Sequence, residues 1–211
     1  MQLELGCGYN GRDSFPEYNP DLYTNWLKRY GNKNTIAIDI DEKAIEFSKL
    51  DDKNNVTFIV ADAKNIPFED KYFELVHEQG VLHHINNYPE AIKEVARVLK
   101  NNGEFRLFET VDNYPIYALA RKVAGSWQGN KIESYFKTVE LIKELEKYFI
   151  IEKVDYYWLP LISDIIYFIK KGKYKGWLEC MYISYYFNKL LRIMRLNKIM
   201  CVHVAIIASK K

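Results

Sequence analysis

A chain of 211 residues has room for one sizeable core with an insertion, and not for two full-sized domains. Its composition, 48% hydrophobic and 27% charged with 17 tyrosines, is that of an ordered globular protein and excludes a low-complexity chain. The net charge of +2 hides an asymmetry: the first 110 residues carry 13 basic against 19 acidic groups (net −6) and the rest 17 against 9 (net +8), so the two halves present different surfaces.

Up to residue 110, short β-rich apolar runs alternate with helix-period segments, which predicts a parallel sheet with helices on its faces. The predicted strands are LEL (3–5), TIAID (35–39), VTFIV (56–60), YFELVH (72–77) and GEFRLFE (103–109). Between them, DLYTNWLKRYG ends at Gly31, DEKAIEFSKL opens on an acidic turn, and NYPEAIKEVARVLKNNG places Ala91, Val95, Val98 and Leu99 on one helical face before Asn101, Asn102 and Gly103 stop it. Beyond residue 110 the rhythm is lost. TVELIKELEKY (138–148) predicts a helix and FIIEKVDYYW (149–158) a strand; a long aromatic and basic stretch then separates these from a last strand, IMCVHVAIIAS (199–209).

Cys7, Cys180 and Cys201 lie far apart without C-x-x-C spacing, a pattern for neither zinc nor disulfides, so a reducing cytoplasm is the expected home. No basic-then-apolar leader opens the chain. Pro160 and Asp164 interrupt YYWLPLISDIIYFI, so no membrane-spanning helix is expected.

The chemistry concentrates at the predicted strand ends. LELGCGYNG runs a strand into Gly6-x-Gly8-x-x-Gly11, where glycine allows a tight turn and close approach of backbone to a ligand. Those letters fit a dinucleotide fingerprint, but Pro16 and Pro20 break the helix that a pyrophosphate needs directly after the turn. Asp39, ending the second strand, is placed to accept bonds from a ribose diol. Asp62 with Ala63, after the third, is placed to meet an adenine edge. Each alone also reads as an ordinary turn residue; three such turns at successive strand ends lie where open α/β sheets bind ligands.

Taken together, LELGCGYNG, IAIDIDEKAIEFSK, VADAKNIPF, FELVHEQGVLHHI and EVARVLKNNGEFRLFE resemble the successive motifs of class I S-adenosylmethionine-dependent methyltransferases, in the branch acting mostly on small molecules and lipids. The resemblance spans roughly residues 2–110. It implies a Rossmann-like three-layer α/β/α sandwich, with a mostly parallel seven-stranded sheet, an antiparallel last strand and a helical, aromatic cap insertion. It also implies S-adenosyl-L-methionine as cofactor, with Glu4, Gly6 and Gly8 shaping its methionine end, Asp39 on the ribose, Asp62 and Ala63 on the adenine, and Glu78, just past the fourth strand, lining the same pocket. Two departures are visible: the family's helical segment before the first strand is absent here, and its next glycine is replaced by Asn10, a residue that tolerates left-handed backbone.

Methyl transfer is an in-line displacement that positioning can accelerate, and it needs a base only if the acceptor loses a proton. His84, with His83 beside it, is the candidate base; Glu109 and Thr110 are an alternative polar pair near the acceptor. His77 and His203 read as packed strand residues. The Asp/Asn-Pro-Pro-aromatic signature of base-methylating relatives is replaced by HEQG, which makes nucleic acid the weaker substrate reading.

The expected organisation is a single domain, 1–211, with a cofactor-binding core at 1–110 and acceptor-cap insertions at 111–137 and 157–198. KKGKYKGW, four lysines beside a tryptophan, suits contact with an anionic membrane surface, although RNA fits the same pattern. The leading reading is a cytoplasmic methyltransferase, peripheral to membrane, acting on a small apolar or lipid-like acceptor. An NAD-dependent oxidoreductase and a non-catalytic cofactor-binding module of the same fold remain as alternatives.

Overall fold

The computed structural model describes residues 1–7, 34–50, 56–115, 119, 136–157 and 187–211. The expected helix at 21–31, Gly8, Gly11, KKGKYKGW and most of the expected cap lie outside them.

Seven strands form one sheet: β1 (Gln2–Leu5), β2 (Thr35–Asp39), β3 (Val56–Val60), β4 (Phe73–Gln79), β5 (Leu99–Thr110), β6 (Phe149–Tyr157) and β7 (His203–Lys210). Their order is β3-β2-β1-β4-β5-β7-β6. β1 to β5 pair in parallel, and β7 runs antiparallel to both neighbours. The strand order reverses at β1 and β4, which makes their carboxyl ends the switch point where such sheets open a crevice.

Helices flank both faces. α1 (Glu42–Leu50) starts where the Lys43 N–H donates to Asp41 Oδ1 at 2.9 Å, and its Ile45 packs with Ala37 and Cys7 on one face. On the other, α2 (Tyr88–Val98) buries Ala91, Ile92, Val95, Ala96 and Val98 at helical spacing, beside α3 (Thr138–Leu145), which buries Leu141 and Leu145. Phe73, Phe105 and Phe149 are enclosed in this main core, each a burial of about 2–3 kcal/mol. A short helix, α4 (Asn197–Met200), leads into β7.

Several boundaries differ from expectation. β4 continues through Gln79, so Glu78 lies within the strand rather than past it. Leu99 is buried as expected but has left α2 for extended backbone and opens β5. The β4–β5 register shifts between Phe73 and Leu75, and the Asn102-Gly103 pair absorbs the bulge: Asn102 has φ 61°, and a Cβ on Gly103 would stand 2.8 Å from the Lys100 carbonyl oxygen. Ile199 and Met200, expected in the last strand, belong to α4 because Ile199 and Met200 N–H groups close a turn onto the Leu196 carbonyl.

Candidate active site at the carboxyl edge of the sheet

β1 ends on Gly6, whose φ of +65° suits a residue without a side chain. Its N–H donates to the Ile38 carbonyl at 2.7 Å, tying the turn to β2. A Cβ at Gly6 would lie 2.4 Å from Val81 Cγ2, so the glycine is required by Val81 packed on it as well as by the backbone. Cys7 follows, buried; enclosure, then the carboxylates of Glu4 and Asp39, push its thiol up to about 12. Glu4 and Asp39 are thus near enough to Cys7 to contribute a negative field there.

Asp39 closes β2, half-buried, and its Oδ1 accepts the Asp41 N–H at 2.9 Å. The Ala61 N–H donates to the Asp39 carbonyl at 2.9 Å and joins the ends of β2 and β3. Asp62 repeats the arrangement, with Oδ1 accepting the Lys64 N–H at 2.8 Å, and Ala63 packs against the main core. The loop bearing Asp62 is held by two residues whose role the sequence does not announce. Arg97 donates to the carbonyls of Ile66 (2.9 Å) and Phe68 (2.8 Å), to Asp70 and to Glu94, while Glu94 Oε2 accepts the Ile66 N–H. Their spacing, one turn apart on α2, is the only hint in the letters.

Across the switch point the acids are enclosed. Glu78 and Glu109 are both 0% exposed. Glu78 Oε2 accepts the Val81 N–H at 3.0 Å. Glu109 accepts the Leu82 N–H (2.6 Å) and the Thr110 N–H (3.1 Å), and its Oε2 is hydrogen-bonded to His83 Nδ1 at 2.7 Å. Both carboxyls thus grip the 3₁₀ turn Leu82–His84. Burial, and then the Glu109 carboxyl beside it, push Glu78 well above the usual carboxyl range.

Of the two histidines, His83 is buried and carries the carboxylate partner; His84 is exposed, its ring stacked 4.0 Å from that of His83. His77 is a buried strand residue, as expected, with its imidazole pushed down to about 3 by enclosure and then by Arg106. His203 stacks on Phe108 at 5.2 Å and meets Thr110 Oγ1 at 3.2 Å. The structure brings Gly6, Asp39, Asp62 with Ala63, Glu78 and the His83-His84 turn to one edge of the sheet. Glu4 lies one residue inside β1, on the face shared with His77.

The residue types fit S-adenosylmethionine. Its ammonium, sulfonium, ribose diol and adenine amino group are cationic or hydrogen-bond donors, and the edge offers carboxylates to meet them. A pyrophosphate would meet the same negative field unfavourably.

Residues 19–107 match the family model described as a methyltransferase domain. The chain is 31% identical over 93 residues to the ubiquinone/menaquinone biosynthesis C-methyltransferase UbiE of Laribacter hongkongensis, covering 42% of this chain and 38% of the relative. It is 32% identical over 127 residues to a demethylmenaquinone methyltransferase of Staphylococcus saprophyticus, covering 59% and 49%. The chain therefore spans half or less of the length of these relatives. Among solved structures, the MccD protein superposes with a TM-score of 0.64 at 20% identity, covering 100% of this chain and 89% of that one. An S-adenosylmethionine-dependent methyltransferase from Mesorhizobium loti gives 0.61 at 15%, covering 99% and 89%. The strand order and these likenesses agree: the chain has the fold seen in S-adenosylmethionine-dependent methyltransferases, and residues 19–107 match the methyltransferase-domain model.

Proposed function

We propose that the protein transfers a methyl group from S-adenosyl-L-methionine to a small apolar or amphipathic acceptor. The observation that carries this reading is the placement of Gly6, Asp39 and Asp62 at three adjacent strand ends beside the switch point. The bound cofactor supplies an electrophilic methyl on a sulfonium. For their part, the residues orient and exclude. Asp39 accepts from the ribose hydroxyls, Asp62 and the Ala63 backbone meet the adenine, and Glu4 with the Gly6-Cys7-Gly8 turn receives the methionine end. Glu78 shapes the floor of the pocket from beneath the turn. With the acceptor held in line, positioning supplies most of the acceleration, and His84 takes a proton only from an acceptor that has one to lose.

Two observations favour an amphipathic acceptor over a polar one. Relatives carry quinone-precursor and fatty-acid names, the latter a fatty-acid O-methyltransferase of Mycolicibacterium smegmatis, 28% identical over 127 residues. Residues 187–202 hold Lys189, Arg192, Arg195 and Lys198 and no acid, with Leu190, Ile193, Met194 and Ile199 exposed among them. Such a surface suits peripheral contact with anionic headgroups. It lies on the catalytic side, since Asn113 Nδ2 donates to the Lys198 carbonyl and the Val111 N–H to that of Val202, just beyond β5. No helix among the described residues is long and apolar enough to cross a membrane. A cytoplasmic protein with acceptor-cap insertions at 111–137 and 157–198 is the organisation we propose.

Calorimetric titration with S-adenosylmethionine and its demethylated product tests the cofactor. Saturable binding that Asp39→Ala abolishes supports the reading; NADH binding in its place overturns it. Co-sedimentation with anionic vesicles tests the surface, and no pelleting at low salt removes the membrane contact.

A further inference from the structure

Glu78 and Glu109 stand at the ends of adjacent parallel strands and on one face, since Glu78 registers with Leu107 and Glu109 lies two residues beyond it. Both are fully enclosed, yet their surroundings differ. Three donors converge on Glu109, from Leu82, His83 and Thr110. Glu78 receives one on Oε2, while its Oε1 is buried and faces no donor. Two ionised carboxylates enclosed side by side repel without water to screen them, and a buried acceptor with no donor costs about 1–3 kcal/mol. A proton on Glu78 removes both penalties: the repulsion is lifted, and the orphaned acceptor becomes a hydroxyl beside Glu109.

We propose that Glu78 and Glu109 hold one proton between them, and that this proton latches the 81–85 turn onto Gly6. The turn is fastened through backbone N–H groups of Val81 and Leu82, one to each acid, and the Val81 methyls rest on the Cα of Gly6, at the first glycine of the cofactor turn. Glu78 is thus a positioning residue acting through Val81, and its role in cofactor binding rests on the methyltransferase reading. Titratable groups facing the pair are His83 and His84 on the turn itself; β1 contributes Leu5 opposite Glu78, then Gly6.

The sign is fixed by linkage. Glu78 is held above its unfolded value by burial and by Glu109, so between the two values the folded chain keeps a proton that the unfolded chain has released. Stability is full below the unfolded value and is lost as pH rises towards the folded one. The test uses the full-length chain, first without cofactor. Melting temperature of the wild type falls as pH rises above the unfolded carboxyl value of about 4.3, and Glu78→Gln, whose amide supplies a permanent donor, lacks that contribution to the slope. Parallel slopes in the two proteins overturn the shared proton. Should the glutamine variant not fold, infrared spectra of the wild type at neutral pH decide: a protonated-carboxyl carbonyl band supports it, and none refutes it. For the latch, Glu78→Ala weakens S-adenosylmethionine binding about tenfold, Glu78→Gln recovers most of this, and only the wild type loses affinity as pH rises. A melting slope with no cofactor binding at any pH establishes the proton and overturns both the latch and the methyltransferase reading.

Discussion

At the carboxyl ends of β2 and β3, Asp39 and Asp62 sit half-buried in turns that each makes with its own backbone two residues on, whereas at those of β4 and β5 Glu78 and Glu109 are wholly enclosed and grip a neighbouring turn. The same functional group at the same sheet edge therefore does two jobs. Carboxylates on the first flank are those we propose to accept from a ligand. Those on the second are spent on the protein, where their charge is costly unless it is compensated. Burial separates binding from architecture here, and it is testable residue by residue.

The largest effect is expected at Glu109. Glu109→Ala leaves three buried donors without an acceptor and should cost about 3–5 kcal/mol of stability. Urea denaturation measures it, and a loss under about 1 kcal/mol would erase the distinction between the flanks. Next comes the junction of the two. Gly6→Ala should cost about 2–4 kcal/mol, combining left-handed strain with the collision with Val81. Adding Val81→Ala should relieve the collision and leave the strain, about 1 kcal/mol. If the double variant is no better than the single one, Val81 is not the contact that demands glycine.

On the first flank, Asp39→Ala should lower S-adenosylmethionine affinity by about 10–100-fold, the value of a charge-assisted bond, while shifting stability by under about 1 kcal/mol. Calorimetry and melting curves on one preparation read both; a stability loss as deep as that of Glu109→Ala would break the comparison. The smallest effect is expected at Arg97→Ala, about 1–2 kcal/mol, because the guanidinium is partly exposed and its bonds are shared with water. The Arg97 guanidinium, by hydrogen bonding, holds the Glu94 carboxyl below its usual range. That contribution is present above the unfolded carboxyl value of about 4.3 and fades as pH falls through the folded one. The penalty of Arg97→Ala, measured by denaturant midpoints, should therefore shrink in acid.

Much of this was readable from the letters. β2 and β3 are runs of β-branched and apolar residues with polar turns, so their bounds and the strand-end positions of Asp39 and Asp62 follow from period and punctuation alone. Glu78 defeats that logic: a charged residue after YFELVH reads as the end of a strand, and only a compensating group elsewhere lets β4 carry it inside. The compensation is distant in sequence: His83 and Glu109 are 26 residues apart, and the Glu94 and Arg97 bonds to Ile66 span 28 and 31. In the same way, the contact with Glu109 belongs to His83 while His84 is exposed, and periodicity within so short a turn does not distinguish neighbours. The Leu99 boundary failed for a related reason: an apolar residue in phase with a helix is equally at home opening a strand on the same core.

β7 lies between β5 and β6 although it follows both in the chain, and among the described residues β6 pairs with no other strand. During synthesis, residues 149–157 must wait, and the open edge of β5 with them, until residues 203–210 have emerged. The five parallel strands can assemble by near-neighbour contacts before that. The second half is then added as a late, long-range closure, which leaves two bare sheet edges available to chaperones, or to one another, for about the time taken to make 50 residues, seconds at ordinary synthesis rates.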